Sequence, residues 1–302
     1  MGPCEDTSIR RILMASDVSS GPRHSFFQID PDNGSMYHPT LHSQGPWAEN
    51  MLHGRVISGL IAYEAELNLQ NEVNMLEWQI ARITVDMFRV APMAPLMVEV
   101  QFIRSGRRIK VLDVEILTER PESGKVLIAK GLVVALKKSM SPLAKVWTPS
   151  RWPVEYPEKT DSQHASDVDD NMSSRPHIWE TINVTDGDVG DNRISRKYGV
   201  RRAWIRETID LVQGIVPSPL VRVAQVADIA NPVANSSEEA LHYINVDITL
   251  YLNRNPISEW VGVETLQHGS TDGISIGAIS LYDIDGLVGT SAVSGLAQAP
   301  SA

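Results

Sequence analysis

The sequence repeats itself across its two halves, and this duplication restricts the fold more than any other feature. Residues 83–86 (ITVD) match residues 244–247 (INVD) at an offset of 161. Residues 124–126 (GKV) match residues 286–288 (GLV) at an offset of 162. The two matches lie about forty residues apart and keep their spacing within one residue. We therefore expect two copies of one structural unit in the chain.

A polar stretch at residues 150–175 separates the two halves. It contains Pro153, Pro157 and four aspartates, and it shows neither a helical nor a strand period. Such a composition is typical of a solvated linker. We predict an N-terminal repeat at residues 1–149, an acidic linker at residues 150–175 and a C-terminal repeat at residues 176–302.

Each half begins its regular structure with an apolar helix. In the first half, apolar residues recur at helical spacing from Val56 to Ala65 and cover nearly the whole circumference. This pattern predicts a helix that is buried on most sides. In the second half, Ser218 is a suitable N-cap, Pro219 suits the first helical position, and apolar residues continue to Ala227.

Four strand-like runs with a period of two follow each helix. They cover residues 80–90, 96–104, 109–118 and 126–137, then residues 243–252, 259–267, 273–282 and 287–296. Short connections such as Ser105-Gly106 and Asp285-Gly286 allow only antiparallel neighbours. A helix wrapped by a curved antiparallel sheet is the hotdog arrangement. We therefore predict an α+β fold, a double hotdog of two tandem repeats, each with one long apolar helix.

Charge and hydropathy exclude several classes of protein. The chain carries 27 Lys and Arg against 37 Asp and Glu, a net charge of −10, which disfavours nucleic acid and anionic membranes as partners. No apolar run reaches the roughly 18 residues of a membrane span, and the N-terminus lacks a signal-peptide core. We expect a cytoplasmic protein. The single cysteine, Cys4, excludes an intrachain disulfide and a cysteine metal cluster.

Other chemical motifs are weak or absent. His38 and His42 lie four residues apart, but Pro39 disrupts a helical metal-binding face and the sequence suggests no carboxylate partner. The chain contains no nucleophile elbow, phosphate-binding loop or dinucleotide fingerprint. We therefore expect neither a metal ion nor a cofactor.

Several short motifs follow one another in a fixed order. They are Gly45-Pro46-Trp47, His53-Gly54 and residues 83–89 (ITVDMFR) in the first half, then residues 227–231 (ADIAN), residues 245–250 (NVDITL) and Glu259-Trp260 in the second. This ordered set resembles the TesB-like acyl-CoA thioesterases over roughly residues 20–300, apart from the linker. The resemblance implies an enzyme of lipid metabolism that hydrolyses acyl-CoA thioesters without a covalent intermediate. The attacking water would be held by an Asp, a hydroxyl residue and a Gln.

The resemblance also implies which residues form the site. The Asp position falls on Asp228, the hydroxyl position on Asn245 and the Gln position on Val293. Asn245 can hydrogen-bond a water molecule whereas Val293 cannot, so one water-positioning group is missing. We expect Asp228 to activate the water, Asn245 to position it, and Gly54, Asn231 and Val293 to contact the substrate.

The sequence around Asp228 and Asn245 also allows an interpretation of each residue that does not depend on the resemblance. Asp228 shares a helix face with apolar residues, and burial there would raise its pKa toward the range useful for proton transfer. Alternatively, Asp228 is structural and bonds the following loop through Asn231 or Asn235. The strand at residues 243–252 alternates so that Asn245 lies on its polar face. Periodicity does not decide whether this face lines a cleft or meets solvent.

His53 and Gly54 precede the first helix, where free N–H groups and the helix dipole could polarise a thioester carbonyl. Gly54 would let the carbonyl approach closely, and the helix start near Gly214 offers a second such place. His53 could serve as an acid or base, or only hydrogen-bond the neighbouring loop. We interpret Glu64, on the same helix, as a charge near its emerging end.

Three functions fit these residues. The first is a thioesterase acting on acyl-CoA or an acyl-carrier protein. The second is a dehydratase or isomerase in which His53 and Asp228 form an acid/base pair across the two halves. The third is a non-catalytic protein that binds acyl or polyketide ligands, which Val293 favours. Edge-to-edge pairing of hotdog sheets also predicts a homodimer.

Overall fold

A computed structural model describes residues 24–148, 152, 156–157, 179–185 and 194–298 of the chain. The fold within these ranges is rich in strands and contains few helices. Cys4 and most of the predicted linker lie outside the described residues.

The first half is built around one long helix. Helix α1 covers Gly54–Gln70, and its side chains are buried along most of its length. The strands of this half are β1 (Ser25–Ile29), β2 (Met36–Pro39), β3 (Trp78–Met87), β4 (Leu96–Ser105), β5 (Ile109–Arg120) and β6 (Gly124–Lys137). The predicted helix and all four predicted strands are present. Strands β1 and β2 are too short for their alternation to be recognised in the sequence.

The second half differs from its prediction in its helix. Its strands are β7 (Trp179–Asn183), β8 (Arg202–Glu207), β9 (Asp210–Val212), β10 (Tyr243–Asn245), β11 (Asp247–Leu252), β12 (Val261–Thr271), β13 (Ile274–Asp283) and β14 (Gly286–Ala297). In place of one long helix there are two short ones, α2 (Pro219–Ala227) and α3 (Ala230–Asn235). Pro232 accounts for the break, because its ring clashes with the carbonyl of residue 228 in a continuous helix and it has no N–H. The Ser218 hydroxyl caps α2, as predicted, by accepting the Val221 N–H at 3.2 Å.

The strands form one sheet whose order reflects the duplication. The order is β7-β8-β12-β13-β14-β11-β3-β6-β5-β4-β2-β1-β9, with β10 paired to β14. Strands β11 and β3 form the central pair. Outward from this pair, β14-β13-β12 on one side correspond to β6-β5-β4 on the other. Gly124 and Gly286 open the corresponding strands β6 and β14, both with positive φ (64° and 105°), which the preceding turns require. Leu250 of β11 pairs with Ile83 of β3, so the two repeats are joined edge to edge within one chain.

A β-bulge interrupts the strand predicted at residues 243–252. Between Asn245 and Thr249 this strand advances four residues while its partner β14 advances three. The Asp247 carboxylate accepts the N–H of Ser294 at 2.5 Å and fixes the bulge. As a result, Asn245 points to the interior, as buried Ile248 does. The predicted alternation, which placed these two residues on opposite faces, is wrong here because the bulge adds one residue.

The core lies inside the curve of the sheet, where α1 packs against α2. A second, aromatic cluster contains Trp152, Trp204, Trp260 and Tyr282, with Trp152 stacked on Trp204 at a centroid distance of 5.4 Å. Trp152 falls within the predicted linker, so the chain at this residue is buried rather than solvated. Among the residues that the structure describes, no helix has the length and apolar character needed to cross a membrane.

Candidate active site

A cavity of about 850 Å³ lies between the two halves. The first half contributes the start of α1, the loop before it and the end of β3. The second half contributes the α2–α3 junction, strand β10 and part of β7. Its polar lining residues are His53, Arg89, Asn183, Ser195, Arg196, Asp228, Asn231, Ser236 and Asn245. The size is typical of a small-molecule site, and neither repeat alone encloses it.

Asp228 lies at the end of α2, where the helix breaks, and its carboxylate faces residues from both repeats. The Oδ1 atom accepts a hydrogen bond from Nδ2 of Asn245 at 2.9 Å. The Oδ2 atom lies 3.3 Å from Nδ1 of His53. The structure therefore brings together the three residues that the sequence predicted to be catalytic. The Asp228 carboxylate thus contacts Asn245 and His53. It makes no hydrogen bond with the side chains of Asn231 or Asn235, the partners that the alternative interpretation proposed.

The pKa of Asp228 is lowered, which corrects the expectation that burial would raise it. Burial does raise the pKa of this carboxyl, but the contact with His53, the Asn245 amide and the charge of buried Arg55 together outweigh it. The net result is a pKa below the ordinary value of 3.8. Asp228 is therefore an ionised carboxylate at neutral pH, which suits a proton acceptor rather than an acid.

His53 is the residue immediately before α1, but its side chain makes no capping hydrogen bond to the helix. Its backbone N–H donates to the Ser43 carbonyl at 2.9 Å. The ring is directed toward Asp228 and packs edge-on against Trp179, with centroids 5.9 Å apart. The His53 ring therefore faces the cavity. His53 bonds the neighbouring loop through its backbone and not through its side chain.

Gly54 is required by the position of Asp228. A Cβ atom at this residue would lie 2.7 Å from Oδ1 of Asp228, closer than any real contact. The absence of a side chain thus admits the carboxylate over the start of α1. Gly214, the other predicted helix-start site, has φ of 73° in the turn after β9 and is not among the residues lining the cavity.

Asn231 lies on α3, behind Asn245. Its Nδ2 donates to the Tyr243 carbonyl at 2.9 Å and to Oδ1 of Asn245 at 3.3 Å. The residue lines the cavity but is only 2% exposed. Most of its polar capacity is used to hold Asn245 and strand β10.

Val293 does not reach the cavity. It is 2% exposed on β14 and belongs to the apolar core, and it is not among the lining residues. The structure therefore does not bring Val293 together with Asp228 and Asn245 as a substrate contact.

A buried ion pair beneath the site was missed in the sequence. Arg55 and Glu207 form a direct side-chain ion pair between α1 and β8, and both side chains are almost fully enclosed. The Arg55 guanidinium also lies 4.2 Å from the centroid of the Trp179 ring. Burial raises the pKa of Glu207 to about 7 against the opposing charge of Arg55. The only sequence signal was Arg55 at the start of a mostly apolar helix, and this signal does not identify a partner that lies 152 positions away.

Two further predictions are corrected. Glu64 is not an exposed helix-end charge: it is buried and accepts a hydrogen bond from the Tyr37 hydroxyl, because α1 is enclosed on this side by β2. His38 does have a carboxylate partner, since its Nε2 lies 2.8 Å from Oδ2 of Asp30. Within the described ranges, no group of three or more His, Cys, Asp or Glu side chains is placed to hold a metal ion.

Comparison with known families decides where this chain belongs. The profile of the acyl-CoA thioesterase N-terminal domain matches residues 43–135, and that of the C-terminal domain matches residues 153–296. The chain belongs to the acyl-CoA thioesterase family. It is thus a thioesterase enzyme by family, as its resemblance implied. No curated protein sequence matches it significantly.

Solved structures with similar folds include other proteins of this kind. TesB2, an acyl-CoA thioesterase II from Mycobacterium marinum, is 15% identical with a TM-score of 0.58, covering 90% of this chain and 96% of its own. A tesB protein from Mycobacterium avium subs paratuberculosis is 12% identical with a TM-score of 0.58, covering 87% and 93%. A hot dog protein from Alicyclobacillus acidocaldarius is 13% identical with a TM-score of 0.57, covering 89% and 95%. These likenesses show the hotdog fold.

Proposed function

We propose that the protein hydrolyses an acyl-CoA thioester by means of a water molecule that Asp228 activates. The observation that carries this proposal is the position of the Asp228 carboxylate, which is buried at the cavity between the two repeats, 2.9 Å from Nδ2 of Asn245 and 3.3 Å from Nδ1 of His53. Its lowered pKa keeps this carboxylate ionised at neutral pH, so it can accept a proton from a water molecule in the cavity.

The proposed reaction proceeds in two steps. Asp228 accepts a proton from water while the water oxygen bonds to the thioester carbonyl carbon, giving a tetrahedral intermediate with a negative oxygen. The carbon–sulfur bond then breaks, and the proton passes from Asp228 to the leaving sulfur. The products are a carboxylic acid and a free thiol, and Asp228 returns to its ionised form.

Asn245 is suited to hold the attacking water. Its Oδ1 accepts from Asn231 and one hydrogen of its Nδ2 is used on Asp228. An amide nitrogen carries two hydrogens, so one remains for an oxygen atom in the cavity that Asn245 lines.

The start of α1 is suited to stabilise the negative oxygen of the intermediate. The first N–H groups of a helix have no acceptor within the helix, and the helix dipole is positive at this end. Gly54 lies there on the cavity surface, beside Asp228. We therefore assign the oxyanion to the backbone N–H of Gly54, while His53, in contact with Asp228, keeps the carboxylate oriented.

The test is release of free thiol from a panel of acyl-CoAs, from acetyl to palmitoyl, by the parent protein, Asp228→Asn and Asp32→Asn. Asp32 lies exposed in the β1–β2 turn and serves as the matched control. We expect release by the parent and the control, and a loss of roughly 10²-fold or more in kcat for Asp228→Asn, the usual effect of losing a general base. Full activity of folded Asp228→Asn would contradict the proposal. The same assay with acyl-carrier proteins decides between the two thiol carriers.

A dehydratase or hydratase is a second candidate because His53 and Asp228, from different repeats, lie 3.3 Å apart. Both residues line the cavity, so they could act on one bound ligand as acid and base. Conversion of a 3-hydroxyacyl thioester to the unsaturated thioester without thiol release would support this second function.

The homodimer that the sequence predicts is tested by the molar mass of the protein in solution.

A further inference from the structure

A chain of hydrogen bonds runs from the surface of the second repeat to the carboxylate of Asp228. His268 Nδ1 lies 2.8 Å from Asn235 Oδ1, and Asn235 Nδ2 donates to Asn231 Oδ1 at 3.0 Å. Asn231 Nδ2 donates to Asn245 Oδ1 at 3.3 Å, and Asn245 Nδ2 donates to Asp228 at 2.9 Å. Three asparagines from α3 and β10 therefore connect exposed His268 on β12 with the buried carboxylate.

Two groups that can only accept fix the direction of this chain. The ionised carboxylate of Asp228 requires Asn245 to present its Nδ2, which leaves Oδ1 of Asn245 as an acceptor. The backbone carbonyl of Tyr243 requires Asn231 to present its own Nδ2. Oδ1 of Asn231 then accepts from Asn235, whose Oδ1 in turn needs a donor, and His268 Nδ1 supplies it. Every donor thus points toward Asp228, and bonds aligned in this way strengthen one another.

The middle of this hydrogen-bond chain is buried, and its His268 end is exposed. Asn231 and Asn235 are 2% and 3% exposed, whereas His268 is exposed. Gly277 of β13 leaves room for Asn235, since a Cβ atom at this glycine would lie 2.6 Å from Asn235 Oδ1. A buried amide that is held on both sides has one orientation available to it.

We infer that Asn235 and His268 are positioning residues, which act through Asn231 to hold Asn245 with its amide nitrogen toward Asp228. The inference rests on the proposed function for its catalytic consequence, but the geometry it describes exists without substrate. If Asn245 turned its amide over, its oxygen would face the carboxylate, and both the contact with Asp228 and the donor toward the cavity would be lost.

The kinetic test compares Asn235→Leu, Asn235→Asp and His268→Ala with the parent protein. Asp has the shape of Asn but, in its ionised form, presents no donor to Asn231. We expect kcat to fall roughly tenfold for both Asn235 variants, the effect of one lost hydrogen bond on a barrier, with KM within about twofold. His268→Ala should lower kcat less, and His268→Asn, whose amide nitrogen can replace Nδ1, should restore it. Asn68→Leu is the control. The Asn68 amide donates to the Glu64 carbonyl on α1 and is not part of the hydrogen-bond chain from His268 to Asp228.

A second measurement needs no activity. The Asp228 carboxyl is titrated by its ¹³C chemical shift in the parent protein, Asn235→Leu and His268→Ala. Loss of the aligned donors should raise the pKa of Asp228, because burial still raises it while the amide no longer opposes this. A raised pKa in either variant supports the inference even if the parent releases no thiol, which would refute only the proposed function. An unchanged pKa of Asp228 in folded Asn235→Leu and His268→Ala, with kcat also unchanged where the parent is active, would overturn the inference.

Discussion

At the scale of single residues, the site depends on how closely Asp228 approaches the backbone of the other repeat. Its carboxylate lies over Gly54, where a Cβ atom would come within 2.7 Å of Oδ1. Asn245 and His53 contact the two carboxylate oxygens from different directions. The position of Asp228 is therefore set by two repeats at once, and a single added carbon atom is enough to move it.

Replacing Gly54 by Ala tests this dependence. The added methyl group must displace the Asp228 carboxylate, and misplacement of a catalytic group by about 1 Å can lower the rate roughly 10²-fold. We expect a kcat loss of that order for thiol release, with the circular dichroism spectrum unchanged. Gly269→Ala on β12 is the matched control, since no atom lies within 4 Å of its added carbon. Equal activities of the two variants would show that Asp228 does not need its observed position.

At the scale of elements, a charged pair connects the two repeats below the cavity. Arg55 of α1 and Glu207 of β8 are both buried. Burial raises the pKa of Glu207 from 4.5 to about 7, so the folded protein binds this proton more tightly than the unfolded chain. The stability that Glu207 contributes is therefore complete below pH 4.5 and is lost as the pH rises through 7.

Glu207→Gln should remove this dependence on pH. The variant resembles the protonated form at every pH. As the pH rises from 4.5 to 8, the free energy of unfolding of the parent should therefore fall relative to that of the variant by up to about 3 kcal/mol. Urea unfolding at a series of pH values measures the difference. Glu99→Gln, which removes an exposed carboxylate paired with Lys125, gives the effect of losing one surface charge. A difference between parent and Glu207→Gln that is the same at all pH values would contradict the assignment.

The elements also show what the sequence could predict. Helix α1 and the seven strands of ten or more residues, β3–β6 and β12–β14, follow from the periodicity of their apolar residues. The bulge before Ile248 and the helix break before Pro232 are local changes of register, and one extra residue alters which side chains point inward. These two irregularities place Asn245 and Asp228 in contact. The resemblance to a family identified both residues, and the sequence offered Asn235 as a structural partner of Asp228. The roles of His268, Arg55 and Glu207 became visible only through contacts between distant parts of the chain.

At the scale of the whole molecule, the two repeats are held together by direct contacts. Strands β3 and β11 pair within one sheet, and α1 packs against α2. Tyr156 packs against Trp204 on β8, and Trp179 pairs with Glu207 on the same strand. The chain segment between Pro157 and Trp179 therefore joins two points on one strand, roughly 10 Å apart.

Deleting residues 161–170 should consequently have little effect. The eleven residues that remain between Pro157 and Trp179 can span roughly 35 Å when extended, and shortening a connection changes its closure entropy by less than about 1 kcal/mol. We expect one cooperative thermal transition and activity within about twofold of the parent protein. Separate transitions for the two halves would show that the acidic segment itself holds them together.

The role of Asp228 as a base toward water is tested most directly by a single turnover in ¹⁸O-labelled water, with the enzyme in excess over its acyl-CoA substrate. If Asp228 activates water, the label appears in the released carboxylic acid and the Asp228 carboxyl stays unlabelled, as mass spectrometry of the acid and of the Asp228 peptide would show. Label in Asp228 together with an unlabelled acid would mean that the carboxylate itself attacks the thioester, and would contradict the mechanism.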